Sequence, residues 1–133
     1  MAALQHSSGL LSPRLAMTLE VTGRRTGRPV TLPVAAVEYQ ADRYLVSMLG
    51  PDANWVRNVR AAGGPAVLHR RGSESVRLEE VAVADRAPIV RRYLAVAPGA
   101  RPHFPLDRRA PEATFATIAG RYPVFRITPH RPC

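Results

Sequence analysis

Lysine is missing from the sequence, and all 19 of its basic residues are arginine. The codon usage of a GC-rich genome accounts for this preference without any functional cause. It does not account for the formal net charge of +9. A basic excess of this size indicates an anionic partner, which could be a nucleic acid, a membrane surface or a polyanionic small molecule.

Cysteine is nearly absent, since the single one is the last residue, Cys133. One cysteine excludes an intramolecular disulfide and a cysteine-based metal cluster. The four histidines (His6, His69, His103 and His130) lack the short spacings of a metal site, so we expect no bound metal. This cysteine usage fits a reducing compartment, and we expect a cytoplasmic protein.

Long apolar runs are also missing. No stretch approaches the roughly 18 uninterrupted apolar residues of a transmembrane helix. Residues 1–15 lack the basic start and the apolar centre of a signal peptide. We predict a flexible segment over residues 1–16, one domain over 17–128 and a tail over 129–133. With 133 residues, the chain is long enough to bury a core.

Aromatic residues make up only 6% of the chain. No aromatic pair alternates with basic residues along a predicted strand, as a stacking platform for single-stranded nucleic acid requires. Nucleic acid is therefore not the expected partner, and a basic nucleic-acid-binding module is the less favoured alternative.

Period-two alternation between turn signals predicts six β-strands. They cover residues 17–22, 30–39, 43–48, 66–70, 75–83 and 122–128. Pro33 indicates a bulge or an edge position in the second strand, and Glu79-Glu80 indicates an irregularity in the fifth. Most connections are too short for parallel crossovers. We therefore predict a mainly β fold, an antiparallel barrel that is closed or half-closed.

Helical segments are predicted between the later strands. Asp52 is the expected cap of a helix that ends before the glycine pair at 63–64, and Asp85 is the expected cap of a second helix. A short helix is expected over residues 112–119. The proline-rich segment 98–111 is expected to be a stiff, basic loop.

The first strand leads into a basic turn, T-G-R-R-T-G-R at Thr22–Arg28. Gly23 and Gly27 permit backbone conformations that other residues resist. The arginines offer planar, two-pronged donors, and the threonines add hydroxyls. Such a turn suits a phosphate or a carboxylate, although on its own it is more typical of a solvated hairpin.

A second motif, S-M-L-G-P-D-A-N-W-V-R-N-V-R-A at Ser47–Ala61, follows the third strand. In this order and separation, the two motifs resemble the deazaflavin (F420)-dependent nitroreductase and quinone reductase family. The ending Y-P-V-F-R-I at Tyr122–Ile127 is similar as well. The resemblance covers residues 17–128, and its specificity comes from the pairing of the motifs, because either one alone is a weak signal.

This resemblance implies a six-stranded antiparallel split β-barrel like that of FMN-binding oxidoreductases. It implies that reduced coenzyme F420, an 8-hydroxy-5-deazaflavin, passes a hydride to a quinone, a nitro-compound or a similar small electrophile. Many members have an arginine where this chain has Val30 and a lysine near the position of Met48. The contacts to the cofactor are therefore expected to differ in detail.

The resemblance also implies three groups of cofactor-binding residues: a turn that contacts the phosphate and acidic tail, a strand end beside the ring, and a flanking helix. The turn group is Arg24, Arg25 and Thr26, with Pro33 after it; the strand-end group is Ser47, Met48, Leu49 and Gly50; the helix group is Asn54, Trp55 and Asn58. Arginine suits the polyanionic tail because it makes two-pronged contacts to phosphate and carboxylate.

Several points stay open at the level of residues. Hydride transfer needs no diagnostic nucleophile, so the catalytic residues are not identified. A hydrogen-bond donor for the substrate oxygen could be Ser47, Asn54 or His103. Asn58 could instead cap or bridge a loop backbone, and Arg57 and Arg60 could lie on a solvated face.

Two further alternatives, and two expectations, concern the whole protein. A non-catalytic carrier of F420 would show the same motifs, and FMN is the runner-up cofactor within the same fold class. The protein is expected to be a monomer or a homodimer. Peripheral contact with a membrane is a further expectation from the basic charge.

Overall fold

The computed structural model of the protein describes residues 16–130. These residues form one curled sheet of seven strands in the order β2-β1-β5-β6-β7-β4-β3, and every pairing between neighbours is antiparallel. The strands are β1 (Ala16–Thr22), β2 (Pro29–Ala35), β3 (Val37–Tyr39), β4 (Asp42–Val46), β5 (Pro65–His69), β6 (Ser73–Glu80) and β7 (Val124–Pro129). The mainly β, antiparallel fold is confirmed. The predictions for residues 1–15 and 131–133 lie outside the described residues.

The two edges of the sheet, β2 and β3, are consecutive in the chain and separated only by Ala36. Up to Ala35 the chain pairs with β1, and from Val37 it pairs with β4. The sheet therefore curls until its edges approach each other, which produces a half-barrel. The prediction of six strands was wrong because the expected strand over residues 30–39 bends at Ala36 and becomes two strands.

Strand β6 is regular, contrary to the prediction. Its pairing with β7 runs without an extra residue from Val76 to Glu80. The expected irregularity at Glu79-Glu80 is not present, because the strand ends at Glu80 and the chain then enters a 3₁₀ turn at Val83–Asp85. Pro33 lies in the edge strand β2, opposite Thr18, where a missing amide donor is tolerated as expected.

The helices are α1 (Asn54–Ala62), α2 (Ala87–Val96) and α3 (Glu112–Ala116), with further 3₁₀ turns at Pro98–His103 and Ala119–Arg121. Neither predicted cap is observed, since Ala53 precedes α1, Arg86 precedes α2, and no side chain bonds to the first amides of either helix. Asp52 forms an ion pair with Arg57 at 3.0 Å instead. No helix among residues 16–130 is long and apolar enough to cross a membrane.

Side chains that alternate along the strands pack into two separate cores, because successive residues of a strand point to opposite faces of the sheet. Every strand except β3 contributes to the core inside the curl, and α1 adds Val56 and Val59 to it. The outer core lies between β3, β4 and β7 on one side and α2, α3 and the late segments on the other. The centre of each core is fully buried, including Leu19 inside and Leu94 outside.

The proline-rich segment 98–111 is partly packed rather than only a loop. It begins with a 3₁₀ turn that buries Ala100, and Phe104 follows against the outer core. The Phe104 ring stacks on Tyr122 with a centroid distance of 4.1 Å, and the Tyr122 hydroxyl donates to the His103 carbonyl at 3.1 Å. These contacts attach the segment to the start of β7.

Candidate functional site

The basic turn between β1 and β2 has a defined internal structure. The Gly23 amide donates to the Arg28 carbonyl at 2.8 Å, and the Gly27 amide donates to the Gly23 carbonyl at 2.9 Å. Gly27 has a φ of 74°, which favours glycine at this position. The Arg28 amide donates to the Thr26 hydroxyl at 3.2 Å. Thr26 therefore shapes the turn and presents it in one conformation.

Asn58 fixes this turn to helix α1. The Asn58 side chain is only 4% exposed. Its Oδ1 accepts from the backbone amide of Arg24 at 3.0 Å and from Arg24 Nη1 at 2.8 Å. Asn58 thus bridges a loop backbone, as the structural interpretation of the sequence proposed.

Asn54 lies one helical turn before Asn58, on the same face of α1. Its Oδ1 accepts from Arg24 Nη2 at 3.4 Å, so Arg24 spans both asparagines. The first turn of α1 has no side-chain cap and no acidic residue. Its free backbone amides and the positive end of the helix dipole therefore lie beside the basic turn.

The turn carries two further arginines, Arg25 and Arg28. Arg25 and Arg28 are exposed, and no hydrogen bond or ion pair holds either side chain within the described part of the chain. Together with Arg24 and the start of α1, they form a concentrated positive corner. Such a corner can bind phosphate or carboxylate through charge and through directed N–H groups.

The segment Ser47–Gly50 connects β4 to the region before α1. The Ser47 hydroxyl donates to the Gly50 carbonyl at 2.6 Å, and the Gly50 amide donates to the Ser47 carbonyl at 3.2 Å. Gly50 has a φ of 89°, and a Cβ there would lie 3.4 Å from the Arg121 carbonyl oxygen. Ser47 is 1% exposed, so its hydroxyl holds the turn and is not available to a substrate.

The remaining predicted residues differ in exposure. Met48 packs partly against the outer core, whereas Leu49 is 65% exposed, which is unusual for a large apolar side chain. Trp55 is half-buried, and its ring centroid lies 5.4 Å from that of Phe125. One part of the indole therefore belongs to the inner core and the other part faces outward.

The structure brings Arg24, Asn54 and Asn58 into direct contact. Arg25 and Thr26 share the turn with Arg24, and the Ser47–Gly50 segment leads into α1. Pro33 lies farther away, because it is four residue steps along β2 from Pro29, a distance of about 13 Å. Among residues 16–130, no group of histidine, cysteine, aspartate and glutamate side chains could hold a metal ion.

The sequence did not predict an ion network that joins the buried Arg86 to the more exposed Glu80 and Arg60. Arg86 is 5% exposed and donates to the carbonyls of Val81, Ala119 and Tyr122 at 2.9, 3.3 and 3.4 Å. It also donates to Glu80 Oε2 at 3.1 Å, and Arg60 donates to both Glu80 oxygens at 3.0 and 2.6 Å. Arg60 is exposed, as expected of a solvated face, and it is also paired with Glu80.

The network shifts the titration of its members. Hydrogen bonding from Arg60 lowers the pKa of Glu80, and the charges of both arginines act in the same direction. Burial lowers the pKa of Arg86, and Glu80 opposes that effect. The sequence gives only a weak signal for this network, because a pair such as Glu79-Glu80 and a single arginine such as Arg86 are usually exposed on a protein surface.

The curled antiparallel sheet and its helical cover define a protein with a split-barrel-like fold. The chain belongs to the F420H(2)-dependent quinone reductase family, which it matches over residues 3–103. This confirms the family that the two sequence motifs indicated. No curated protein matches the chain in sequence.

Solved structures share the fold at low sequence identity. An F420 reductase superposes with a TM-score of 0.53 at 15% identity, covering 92% of this chain and 91% of its own. A FAD-binding protein from Mesorhizobium loti gives 0.55 at 16% identity, with 98% and 91% covered. A protein of unknown function from Agrobacterium tumefaciens gives 0.61 at 14% identity, and this chain covers 87% of itself but only 49% of that longer protein.

Proposed function

We propose that the protein is an F420-dependent oxidoreductase that passes a hydride from the reduced cofactor to a quinone, a nitro-compound or a similar electrophile. Membership of the F420H(2)-dependent quinone reductase family supports the cofactor and the class of reaction. The observation that carries the proposal is the contact of Arg24 with Asn54 and Asn58. It holds an arginine-rich turn against the uncapped end of a helix.

The residues of this corner fit the anionic tail of the cofactor, which is a phosphodiester followed by glutamates. Arg25 and Arg28 have free guanidinium groups for phosphate and carboxylate. The first amides of α1 would add uncharged donors from a fixed direction. Arg24 is already held by Asn58, so its role is to position the turn, and little ordering is needed when the tail binds.

The deazaflavin, when bound, supplies the two electrons and the hydrogen as a hydride. The protein's part is to hold the ring beside the acceptor and to exclude water. We assign the ring side to the Ser47–Gly50 segment and Trp55, because Met48, Leu49 and the outward part of the indole offer apolar surface. Exposed Leu49 suits an apolar acceptor such as a quinone.

Charge develops on the acceptor oxygen during hydride transfer, so a hydrogen-bond donor beside it lowers the barrier. The Ser47 hydroxyl is committed to Gly50. Asn54 uses its oxygen to accept from Arg24, which leaves its amide nitrogen as a donor. We therefore propose Asn54 for this role, in preference to Ser47 and to His103, whose segment packs on the outer core.

FMN is the second candidate cofactor, since its phosphate would fit the same corner. Structural likeness to a FAD-binding protein favours it as an alternative. A cytoplasmic location and peripheral membrane contact are further proposals, supported by cysteine usage and basic charge respectively. A homodimeric state, the second alternative to a monomer, is supported by structural likeness to a domain-swapped dimer.

Turnover tests the proposal. Purified protein is mixed with reduced F420 and menadione, and oxidation of the cofactor is followed by its absorbance. We expect multiple turnovers, and we expect Asn54→Ala to lower kcat by about tenfold or more. Arg57→Ala, an exposed change on the same helix, is the matched control and should retain kcat. Tight binding of F420 without turnover for any quinone or nitro-aromatic acceptor would identify a carrier and reject the enzyme.

A further inference from the structure

A second cluster of arginines surrounds a cavity on the outer layer of the fold. The cavity has a volume of about 630 Å³ and lies between α2 and the turn that precedes α3. Arg91 and Arg92 reach it from α2, and Arg108 and Arg109 reach it from the turn. It shares no residue with the candidate cofactor site, so it needs an explanation of its own.

The charge of this cavity is not neutralised from within. Among residues 16–130, no hydrogen bond or ion pair holds any of these four guanidinium groups. Most other arginines do have partners, for example Arg43 with Glu74 at 2.7 Å and Arg126 with Glu79 at 2.8 Å. Guanidinium groups without partners are thus concentrated in this cavity and in the β1–β2 turn.

The carboxylates near the cavity do not compensate for the four charges. Glu112 is the only acidic residue in its lining. Asp107 accepts from the backbone amide of Arg109 at 2.7 Å and so holds the turn. An adjoining cavity has more carboxylates: Glu79 and Glu80 there are already paired with arginines, and Asp85 lines that cavity but not the arginine-lined one.

Both walls of the cavity are held in place by the outer core. The apolar face of α2 is anchored by Val90 and Leu94, which are fully buried. Leu106 and Ala110 pack against the same core on either side of the arginine turn. The four charges therefore approach one space on rigid supports, which lowers the ordering cost of binding an anion.

We propose that this cavity is a second anion site, which takes a small soluble molecule with two neighbouring phosphate or carboxylate groups. Two arginine pairs on opposite walls match two anionic groups, each bound by a planar fork. Tyr39, Pro88 and Ala95 complete the lining with apolar surface for the body of the ligand. Because the arginines of α2 and those of the turn border one shared space, we expect a small molecule there rather than a flat membrane surface.

The test is calorimetric titration with inorganic pyrophosphate and with orthophosphate at constant ionic strength. Wild-type protein is expected to bind pyrophosphate saturably, about tenfold tighter than orthophosphate. Arg91→Gln with Arg108→Gln should weaken pyrophosphate binding by about tenfold or more. The charge-matched control, Arg57→Gln with Arg71→Gln, should change it by less than about twofold.

Three outcomes would overturn the proposal. One is the absence of saturable pyrophosphate binding, and another is an equal loss in the cavity variant and in the control, which would show only general charge attraction. The third is a loss confined to Arg25→Gln with Arg28→Gln, which would move the site to the β1–β2 turn. Vesicles containing phosphatidylserine form a separate arm. Binding to them that needs Arg91 and Arg108, without pyrophosphate binding, would assign the cluster to a membrane surface and reject a soluble ligand.

Discussion

At the scale of residues, one amide group organises the candidate site. Asn58 is buried in α1, yet both of its observed hydrogen bonds come from Arg24 in a distant turn. The backbone amide of Arg24 would otherwise face the helix without an acceptor. Asn58 therefore determines where the turn lies, and through it the direction of the neighbouring arginines.

Replacement of Asn58 by leucine tests this role. Asn58→Leu keeps the number and branching of the side-chain heavy atoms but removes the acceptor for two donors. We expect the free energy of unfolding to fall by about 1–3 kcal/mol, because a partly buried amide loses its partner. Urea unfolding with an unchanged m-value measures it. A change below about 0.5 kcal/mol, as expected for an ordinary surface substitution, would show that the turn does not depend on Asn58.

Ala41 offers a stabilising substitution in the hairpin between β3 and β4. Its φ is 72°, and the preceding Gln40 has a φ of 49°. The left-handed region is unfavourable for alanine, so Ala41→Gly should stabilise the protein by about 1 kcal/mol. Ala61→Gly, the same chemical change inside α1, should destabilise it by a similar amount. Thermal unfolding measures the change in stability of both variants. If both changes had the same sign, the left-handed backbone conformation assigned to Ala41 would be contradicted.

At the scale of elements, Glu80 connects the end of β6 to α1 and to the start of α2. Arg60 reaches it from α1, and Arg86 reaches it from the residue before α2. Arg86 in turn donates to carbonyls near β7. The helix that carries Asn54 and Asn58 is thus linked to the outer layer through one carboxylate.

This link predicts a specific pH dependence. The pKa of Glu80 is lowered in the folded protein, so its ionised form stabilises the fold above the ordinary glutamate pKa. That contribution is lost as the pH falls through the lowered value. Glu80→Gln should therefore lose about 1–3 kcal/mol of stability at neutral pH and show a smaller further decline on acidification than the wild type.

The control for this pH effect is Glu74→Gln, which removes an exposed ion pair with Arg43. Exposed pairs contribute less than about 1 kcal/mol, so this variant should stay close to the wild type at neutral pH. Chemical unfolding at several pH values between about 3 and 7 provides the comparison. Parallel curves for Glu80→Gln and the wild type would show that the network does not contribute through ionisation of Glu80.

Local sequence patterns predicted those strands, turns and helix ends that depend on alternating apolar residues or on glycine. The turn at Gly23–Gly27 and the helix that ends at the glycine pair are both present. The bend at Ala36 was missed because it arises from pairing with two different strands, which no local pattern encodes. The cap at Asp52 was wrong because its carboxylate pairs with Arg57. The cap at Asp85 was wrong because Asp85 belongs to the preceding 3₁₀ turn and Arg86 is the residue before α2.

At the scale of the whole molecule, the arginines that give the net charge of +9 fall into groups with different roles. Several arginines are held by carboxylates, and Arg24 is held by asparagines. The turn and the outer cavity keep guanidinium groups without such partners. The family resemblance of the turn and of the motif after β4 implied that the turn is an anion site. The cavity was not predicted, because its arginines come from two segments that only the fold brings together.

The central claim is that the β1–β2 turn binds the tail of F420, and a fluorescence titration tests it most directly. Trp55 is the only tryptophan and lies on α1, so its emission reports on the site. We expect micromolar binding of F420, at least about tenfold tighter than FMN. Arg25→Ala with Arg28→Ala should weaken it by about tenfold at low salt and less at high salt, whereas Arg57→Ala with Arg71→Ala should not. An F420 affinity that is unchanged in the turn variant, or no binding by the wild type, would contradict the account.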